Sequence, residues 1–254
     1  FIHGKKITDA FPGRPLERAR LARRLSDALT FDVLFSPQEN AIFHGDPHAG
    51  NVFHVDDDGQ DPYRIALLDW GLSAEFSREK REKFIQLLLG LYLQDGKRLG
   101  NNVDVILDWE PQSPEEREAM RKRVEEVAEE YEGEGMFTVL NQVIARLAIE
   151  GYSIRYETAI FIKSQLTIAG ILRELDPDLE QDKYLMSRMS GQVYKELHTR
   201  FLRTIYFPAW NSHAYRSMLS NEDVKDVQFK RCGAGFKKMG KGIWYCISFK
   251  WLRP

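Results

Sequence analysis

The stretch that decides the fold is residues 44–71, HGDPHAGNVFHVDDDGQDPYRIALLDWG. Asp46 is followed five residues later by Asn51, and an Asp-Trp-Gly triplet closes the stretch. Two short runs rich in Ile, Val and Phe flank a cluster of turn residues, which predicts strands at residues 51–55 and 64–68. The stretch is therefore predicted to be a loop followed by a β-hairpin, with one carboxylate before the hairpin and another after it.

These residue types and their spacing suit phosphoryl transfer. That reaction needs a carboxylate to hold the attacking hydroxyl or water, and oxygen ligands that keep Mg²⁺ on the phosphates. Asp46 supplies the first, and Asn51 and Asp69 supply the second. The DxxxxN spacing lets one tight loop present a base and then return an Asn amide beside the metal, and the strand pair brings in Asp69. HxDxxxxN followed by a hairpin and DxG is typical of kinase catalytic and metal-binding loops.

A zinc-dependent hydrolase is a rival interpretation, because the stretch also holds four possible zinc ligands: His44, Asp46, His48 and His54. The glycines and the proline among them disfavour the helix that a histidine pair at i, i+4 needs. His44 is instead predicted to be a buried, hydrogen-bonded histidine under the loop, and His54 receives no role. Each polar residue taken alone could also be an ordinary turn former.

Most of the remaining chain is predicted to be helical. Apolar residues recur at helical spacing over residues 15–35, and the helical pattern resumes after Ser77. Ser113 and Pro114 are typical of an N-cap and a first helical residue. The acidic run at residues 110–134 indicates a solvated helix face rather than a binding site.

Composition limits the class of protein. With 254 residues, 43% of them hydrophobic, the chain is long enough for a substantial core. A formal charge of −2 gives no reason to expect nucleic acid as a partner. The most apolar run, residues 84–93, is about half the roughly 20 residues that a bilayer span requires, so no transmembrane segment is expected. Two cysteines, Cys232 and Cys246, are too few for a disulfide scaffold and favour an intracellular, reducing compartment.

Residues 209–254 are predicted to form a basic, aromatic C-terminal extension. From Asp223 onward, eight Lys and Arg residues stand against two Asp, and six aromatic residues interleave with them. This composition is compatible with a poorly ordered or peripheral extension, and also with contact to an anionic membrane surface or to nucleic acid.

The motifs resemble those of the UbiB/AarF-like family of atypical kinases. Residues 43–52, FHGDPHAGNV, resemble the catalytic loop of that family, and residues 67–72, LLDWGL, resemble its metal-binding loop. Residues 1–9, FIHGKKITD, resemble the hinge, and residues 172–180, LRELDPDLE, resemble a segment near the end of the domain. The resemblance covers about residues 1–185. Departures at Gly45, Ala49 and Trp70 leave the metal ligands intact.

The resemblance implies an α+β fold, the C-terminal lobe of a protein-kinase-like domain, mostly helical with a small β-hairpin. Residues 1–208 would comprise the hinge at 1–9, the catalytic loop at 44–51, the metal loop at 69–71 and a helical remainder. A hinge at the first residue implies that the N-terminal lobe is absent from this chain. The chain alone is therefore expected to be weakly active or inactive.

The resemblance also implies roles for individual residues. They are Asp46 as the catalytic carboxylate, Asn51 and Asp69 as ligands of Mg²⁺, and His48, Phe53, Phe1 and Ile2 as nucleotide contacts. The implied activity is ATP- and Mg²⁺-dependent phosphotransfer or ATP hydrolysis that supports ubiquinone or other isoprenoid-lipid metabolism. The implied partners are a nucleotide and either a membrane surface or lipid-biosynthesis proteins. Two alternatives stay open: an aminoglycoside- or choline-type small-molecule phosphotransferase, and a non-catalytic docking module.

Overall fold

A computed structural model describes residues 3–55, 61–206 and 215–227, with side chains left undescribed for residues 202–206. In the described residues five short strands form two antiparallel sheets. The strands are β1 (Gly4–Lys6), β2 (Asn40–His44), β3 (Val52–Val55), β4 (Ile65–Leu67) and β5 (Ser73–Ser77). The first sheet has three strands in the order β1-β3-β4, and the second pairs β2 with β5.

The predicted hairpin is confirmed, because β3 and β4 pair antiparallel with Phe53 opposite Ala66. Strand β2 and its partner β5 were not predicted from the sequence. The segment from β2 to β3 and the segment from β4 to β5 each connect one sheet to the other. These two connections are the predicted catalytic loop and metal loop.

The first helical region confirms the prediction for residues 15–35 but is not uniform. Its parts are α1 (Pro15–Ser26), a π-helix (Asp27–Phe31) and α2 (Asp32–Leu34). The Thr30 hydroxyl donates to Gln165 Oε1 at 2.6 Å, and Gln165 Nε2 donates to the Leu29 carbonyl oxygen at 3.2 Å. Since all of these atoms are buried, Gln165 satisfies polar groups of the widened turn.

Seven further α-helices follow in the described chain. They are α3 (Arg78–Leu93), α4 (Gly96–Asn101), α5 (Pro114–Glu130), α6 (Met136–Ile149), α7 (Tyr156–Leu175), α8 (Gln181–Tyr206) and α9, residues 221–227. The predicted start of α5 is confirmed, because the Ser113 hydroxyl accepts a hydrogen bond from the Glu116 backbone N–H at 3.1 Å. Within the described residues no helix has the length and apolar character needed to cross a bilayer.

Helix α7 joins two apolar clusters. The larger one holds an aromatic group around Phe161 of α7, which contacts Phe43, Phe76 and Phe84 edge-on or tilted. The smaller cluster lies under the three-stranded sheet and includes Ile168 of the same helix. Both sheets therefore pack against α7, and the two loops that connect the sheets lie on the same helix.

Residues 215–227, which the sequence assigned to the extension, pack on the helical body. Tyr215, Met218 and Leu219 are 3%, 0% and 2% exposed, and the last two belong to the main apolar cluster. The predicted boundary after residue 208 would leave these side chains outside a core in which they are buried. The rest of the predicted extension, residues 209–214 and 228–254, lies outside the described residues.

Candidate active site

His44 ties the catalytic loop to the metal loop. Its ring is 2% exposed, and its Nδ1 accepts a hydrogen bond from the Asp46 backbone N–H at 3.2 Å. Because Nδ1 is an acceptor, the ring proton is on Nε2, which donates to the Leu68 carbonyl oxygen at 2.8 Å. The predicted role of His44 as a buried, hydrogen-bonded histidine is confirmed. It holds the residue before Asp69 close to the loop that carries Asp46.

The catalytic loop is a tight turn closed by its own amide groups. The Asp46 carbonyl oxygen accepts the His48 N–H at 2.9 Å and the Asn51 side-chain Nδ2–H at 3.2 Å. The Asn51 backbone N–H donates to the His48 carbonyl oxygen at 2.8 Å. Asn51 is thus buried and oriented by Nδ2, and its Oδ1 is the end of the amide suited to a cation. The Asp46 carboxylate stays accessible, with 43% of the side chain exposed.

Asp69 has a strained backbone. Its φ of 57° lies in the left-handed region, which residues other than glycine seldom adopt. Its Oδ1 accepts the Gly71 N–H at 3.3 Å, so the carboxylate takes part in closing the turn. Strain of this kind concentrates at functional sites when the surrounding structure holds it in place. The strained position coincides with the carboxylate that the sequence predicts to bind metal.

Two further backbone hydrogen bonds join the loops. The Leu68 N–H donates to the Asn51 carbonyl oxygen at 2.9 Å, and the Gly45 N–H donates to the Leu72 carbonyl oxygen at 2.9 Å. Together with the His44 ring they bring the segments of Asp46, Asn51 and Asp69 to one end of the two sheets. The site therefore offers two carboxylates and one amide oxygen, a donor set that suits Mg²⁺ on phosphates.

His48 lies beside the Asp46 carboxylate, the group that the sequence predicts to be catalytic. Its Nδ1 accepts the Gly50 N–H at 3.0 Å, and its Nε2 is 3.9 Å from Asp46 Oδ2. The ring is half exposed. Because Nδ1 is an acceptor, the neutral ring carries its proton on Nε2, on the side of Asp46.

The zinc interpretation finds no support in the described part of the chain, where no three His, Cys, Asp or Glu residues are grouped to hold a metal. Both ring nitrogens of His44 bond to backbone atoms. His54 Nε2 lies 2.8 Å from the Pro62 carbonyl oxygen, and the His54 ring meets Phe11 edge-on at 4.8 Å. His54 therefore packs the inner side of the hairpin.

Phe53 lies on the open face of the three-stranded sheet. In β3, Val52 and His54 are buried whereas Phe53 is partly exposed. Its direct neighbours across the sheet are Lys6 in β1 and Ala66 in β4, which share its face. This arrangement provides a small apolar surface flanked by a lysine. Phe1 and Ile2, the predicted hinge contacts, lie outside the described residues.

Sequence reasoning missed the contacts that support these residues. The Trp70 ring lies 5.0 Å from the His44 ring, and the Trp70 indole N–H donates to the Leu67 carbonyl oxygen at 3.3 Å. Ile160 of α7 lies directly behind Gly45. Trp70 adjoins Asp69 in the sequence, so its proximity to the site could have been predicted. Ile160 could not, because it contacts the loop only through tertiary packing.

Residues 1–103 match the family model described as the ABC1 atypical kinase-like domain. These 103 residues are therefore similar to an ABC1 atypical kinase-like domain. The matched region includes both sheets and both loops of the site. The predicted resemblance and fold class are confirmed, since the ABC1 domain and the mostly helical architecture with small sheets are those of a kinase-like C-terminal lobe.

Two curated proteins are similar to part of the chain. One is "Protein ACTIVITY OF BC1 COMPLEX KINASE 7, chloroplastic" of Arabidopsis thaliana, 29% identical over 117 residues, which is 45% of this chain and 15% of that protein. The other is "Probable serine/threonine-protein kinase abkD" of Dictyostelium discoideum, 33% identical over 104 residues, 39% of this chain and 14% of that protein. The chain thus spans about one seventh of each relative. No solved structure matches it.

Proposed function

We propose that this chain is the metal-binding and catalytic lobe of an ATP- and Mg²⁺-dependent atypical kinase or ATPase. The observation that supports this most is the joint placement of Asp46, Asn51 and Asp69 by the His44 bridge between their loops. The match of residues 1–103 to a kinase-like family model and the names of the two relatives support phosphotransfer.

Each residue has a distinct task in this proposal. Asn51 Oδ1 and the Asp69 carboxylate would hold Mg²⁺, which neutralises charge on the phosphates when it is bound. The accessible Asp46 carboxylate orients the attacking hydroxyl or water and accepts its proton. His48 donates from Nε2 to a phosphate oxygen or to Asp46. Phe53 offers its apolar face to the adenine ring.

The biological setting is inferred from the resemblance of the sequence motifs. We infer an intracellular protein whose acceptor belongs to ubiquinone or other isoprenoid-lipid metabolism, working at a membrane surface or with lipid-biosynthesis proteins. Two other functions compete with this proposal: a small-molecule phosphotransferase and a non-catalytic docking module.

Titration calorimetry with Mg²⁺ and with MgATP tests the site on this chain. We expect little Mg²⁺ binding without nucleotide, because Asn51 and Asp69 supply only part of a coordination shell. MgATP should bind weakly, and Asp69→Asn should weaken that binding further because it removes the charged ligand. Asparagine tolerates the left-handed backbone at this position, so the variant should fold. Glu75→Gln, an exposed carboxylate on β5, is the matched control and should leave binding unchanged.

The catalytic role of Asp46 is tested by measuring ATP turnover in a protein that joins this chain to an N-terminal kinase lobe. Asp46→Asn should lower ATP turnover by on the order of 10²- to 10⁴-fold while leaving MgATP affinity nearly unchanged. Full turnover in folded Asp46→Asn protein would rule out the proposed role of Asp46 in activating the attacking group. An MgATP affinity that Asp69→Asn leaves unchanged would rule out Asp69 as a ligand of Mg²⁺. Phosphorylation of an aminoglycoside or of choline would favour the small-molecule phosphotransferase, and absence of any nucleotide binding would favour the docking module.

A further inference from the structure

An apolar groove of about 210 Å³ runs between α8 and α9, far from the loops of the active site in sequence. Its lining includes Met186, Met189, Tyr194 and Leu197 of α8 and Val227 of α9. Met186 and Met189 are 1% and 2% exposed and form part of the main apolar cluster beneath the groove. The groove therefore opens directly onto the core.

An exposed apolar stripe continues from one wall of the groove. Tyr194, Leu197 and Phe201 are 76%, 46% and 67% exposed, and their spacing places them on one face of α8. Large apolar side chains grouped in this way on a helix mark a surface that binds another segment. Groove and stripe together form one surface, which we call the α8 surface.

We propose that the end of this chain, residues 243–252, docks on the α8 surface. Val227, the last described residue, itself lines the groove, and the sequence continues from there to Pro254. The distance to be bridged is therefore short for the connecting residues, which can extend by roughly 3.3–3.6 Å each. A segment tethered at the rim of its own binding surface also has a high effective concentration there.

The composition of the segment matches the surface. Residues 243–252 read IWYCISFKWL, a run with two tryptophans, one tyrosine and one phenylalanine and a single charged residue. Burying such side chains against an apolar groove stabilises the bound form by about 25 cal/mol for each Å² of apolar area removed from water. The residues between Val227 and this run are rich in glycine and lysine and hold fewer apolar side chains for such a groove.

A spin label on the full-length 254-residue chain tests the docking. Cys232→Ser leaves Cys246, inside the proposed segment, as the single thiol for a nitroxide label. With methyl-labelled methionine, we expect the NMR signals of Met186 and Met189 to lose most of their intensity while the label is paramagnetic. The signal of Met120 in α5 should keep its intensity. Chemical reduction of the label should restore all signals.

A matched pair of variants and a mixing experiment complete the test. Leu197→Glu on the α8 surface should abolish the signal loss, whereas Ile149→Glu, an 84% exposed apolar residue on α6, should not change it. Intact Met186 and Met189 signals in the folded, labelled protein would overturn the proposal. Signal loss in a mixture of spin-labelled chains and separate isotope-labelled chains would also overturn it, because a second copy would then occupy the surface.

Discussion

At Gly45, the residue before Asp46, tertiary contacts leave no room for a Cβ atom. A Cβ at this position would lie 2.7 Å from Ile160 Cγ2 and 3.1 Å from the Leu72 carbonyl oxygen. Both distances are shorter than ordinary van der Waals contact. In this chain a side chain of α7 occupies the space that a methyl group at this position would need.

Gly45→Ala should therefore lower the free energy of unfolding by about 1–3 kcal/mol through overpacking. Ile160→Leu removes the clashing Cγ2 methyl at nearly constant volume. In the double variant, the cost of the alanine should be smaller than in the parent chain. Urea unfolding of the four proteins measures this coupling. Gly170→Ala is the control: it has open space around its Cβ in α7 and should stabilise by roughly 0.5–1 kcal/mol. An equal cost of Gly45→Ala in the parent chain and in the Ile160→Leu variant would contradict the assigned contact.

Helix α6 depends on another helix for its N-terminal cap. Its N-cap residue is Gly135, which has no side chain, and the Met136 N–H instead donates to Asp182 Oδ2 of α8 at 2.8 Å. Burial of Asp182 raises the pKa of its carboxyl above the ordinary 3.8, and outweighs the opposing effect of the Met136 N–H. The α6 cap therefore couples the packing of two helices to pH.

The pH dependence of unfolding tests this coupling. Because the folded carboxyl holds its proton more tightly than the unfolded one, the contribution of Asp182 to stability falls as pH rises from about 3.8 through its raised pKa. Asp182→Asn keeps an acceptor oxygen and has no charge to desolvate. The stability of this variant relative to the parent should therefore increase with pH across that window and then level off. Parallel profiles for Asp182→Asn and the parent would refute the pKa shift.

At the scale of the whole molecule, residues 215–227 complete the helical body. The Arg200 guanidinium donates to the Ser217 hydroxyl at 2.7 Å and lies 3.8 Å from the centre of the Tyr215 ring. Arg98 pairs with Asp223 and, at 2.8 Å, with Asp226. Two arginines from different helices thus hold a segment that also buries apolar side chains.

Removing that segment should destabilise the molecule as a whole. A chain that ends at residue 214 loses the burial of Tyr215, Met218 and Leu219, and fully burying an apolar side chain is worth about 1.5–3 kcal/mol. We expect it to unfold at a markedly lower temperature than a chain that ends at residue 227. Circular dichroism on heating compares the two. Equal unfolding temperatures would show that the helical body is complete before residue 215.

The sequence by itself determined the features whose signals are local. The β3–β4 hairpin follows from two short β-rich runs around a turn cluster, and the start of α5 follows from Ser113 and Pro114. The identity of the candidate site residues also comes from the sequence, because a DxxxxN spacing followed by a hairpin and DxG is a pattern contained within residues 44–71.

Only the tertiary structure showed which contacts position the hairpin, the helices and the site residues. Strands β2 and β5 were not predicted, because the partner of each lies on the far side of the hairpin in the sequence. The charged residue Arg81 is fully buried because its guanidinium donates to carbonyl oxygens that include Ser36 and Phe76. The His44 bridge and the Asp182 cap likewise join atoms that no local pattern places together. Hydrogen bonds and packing between distant segments form only when the chain folds. Sequence reasoning can therefore name candidate site residues, but it cannot predict the long-range contacts that position them.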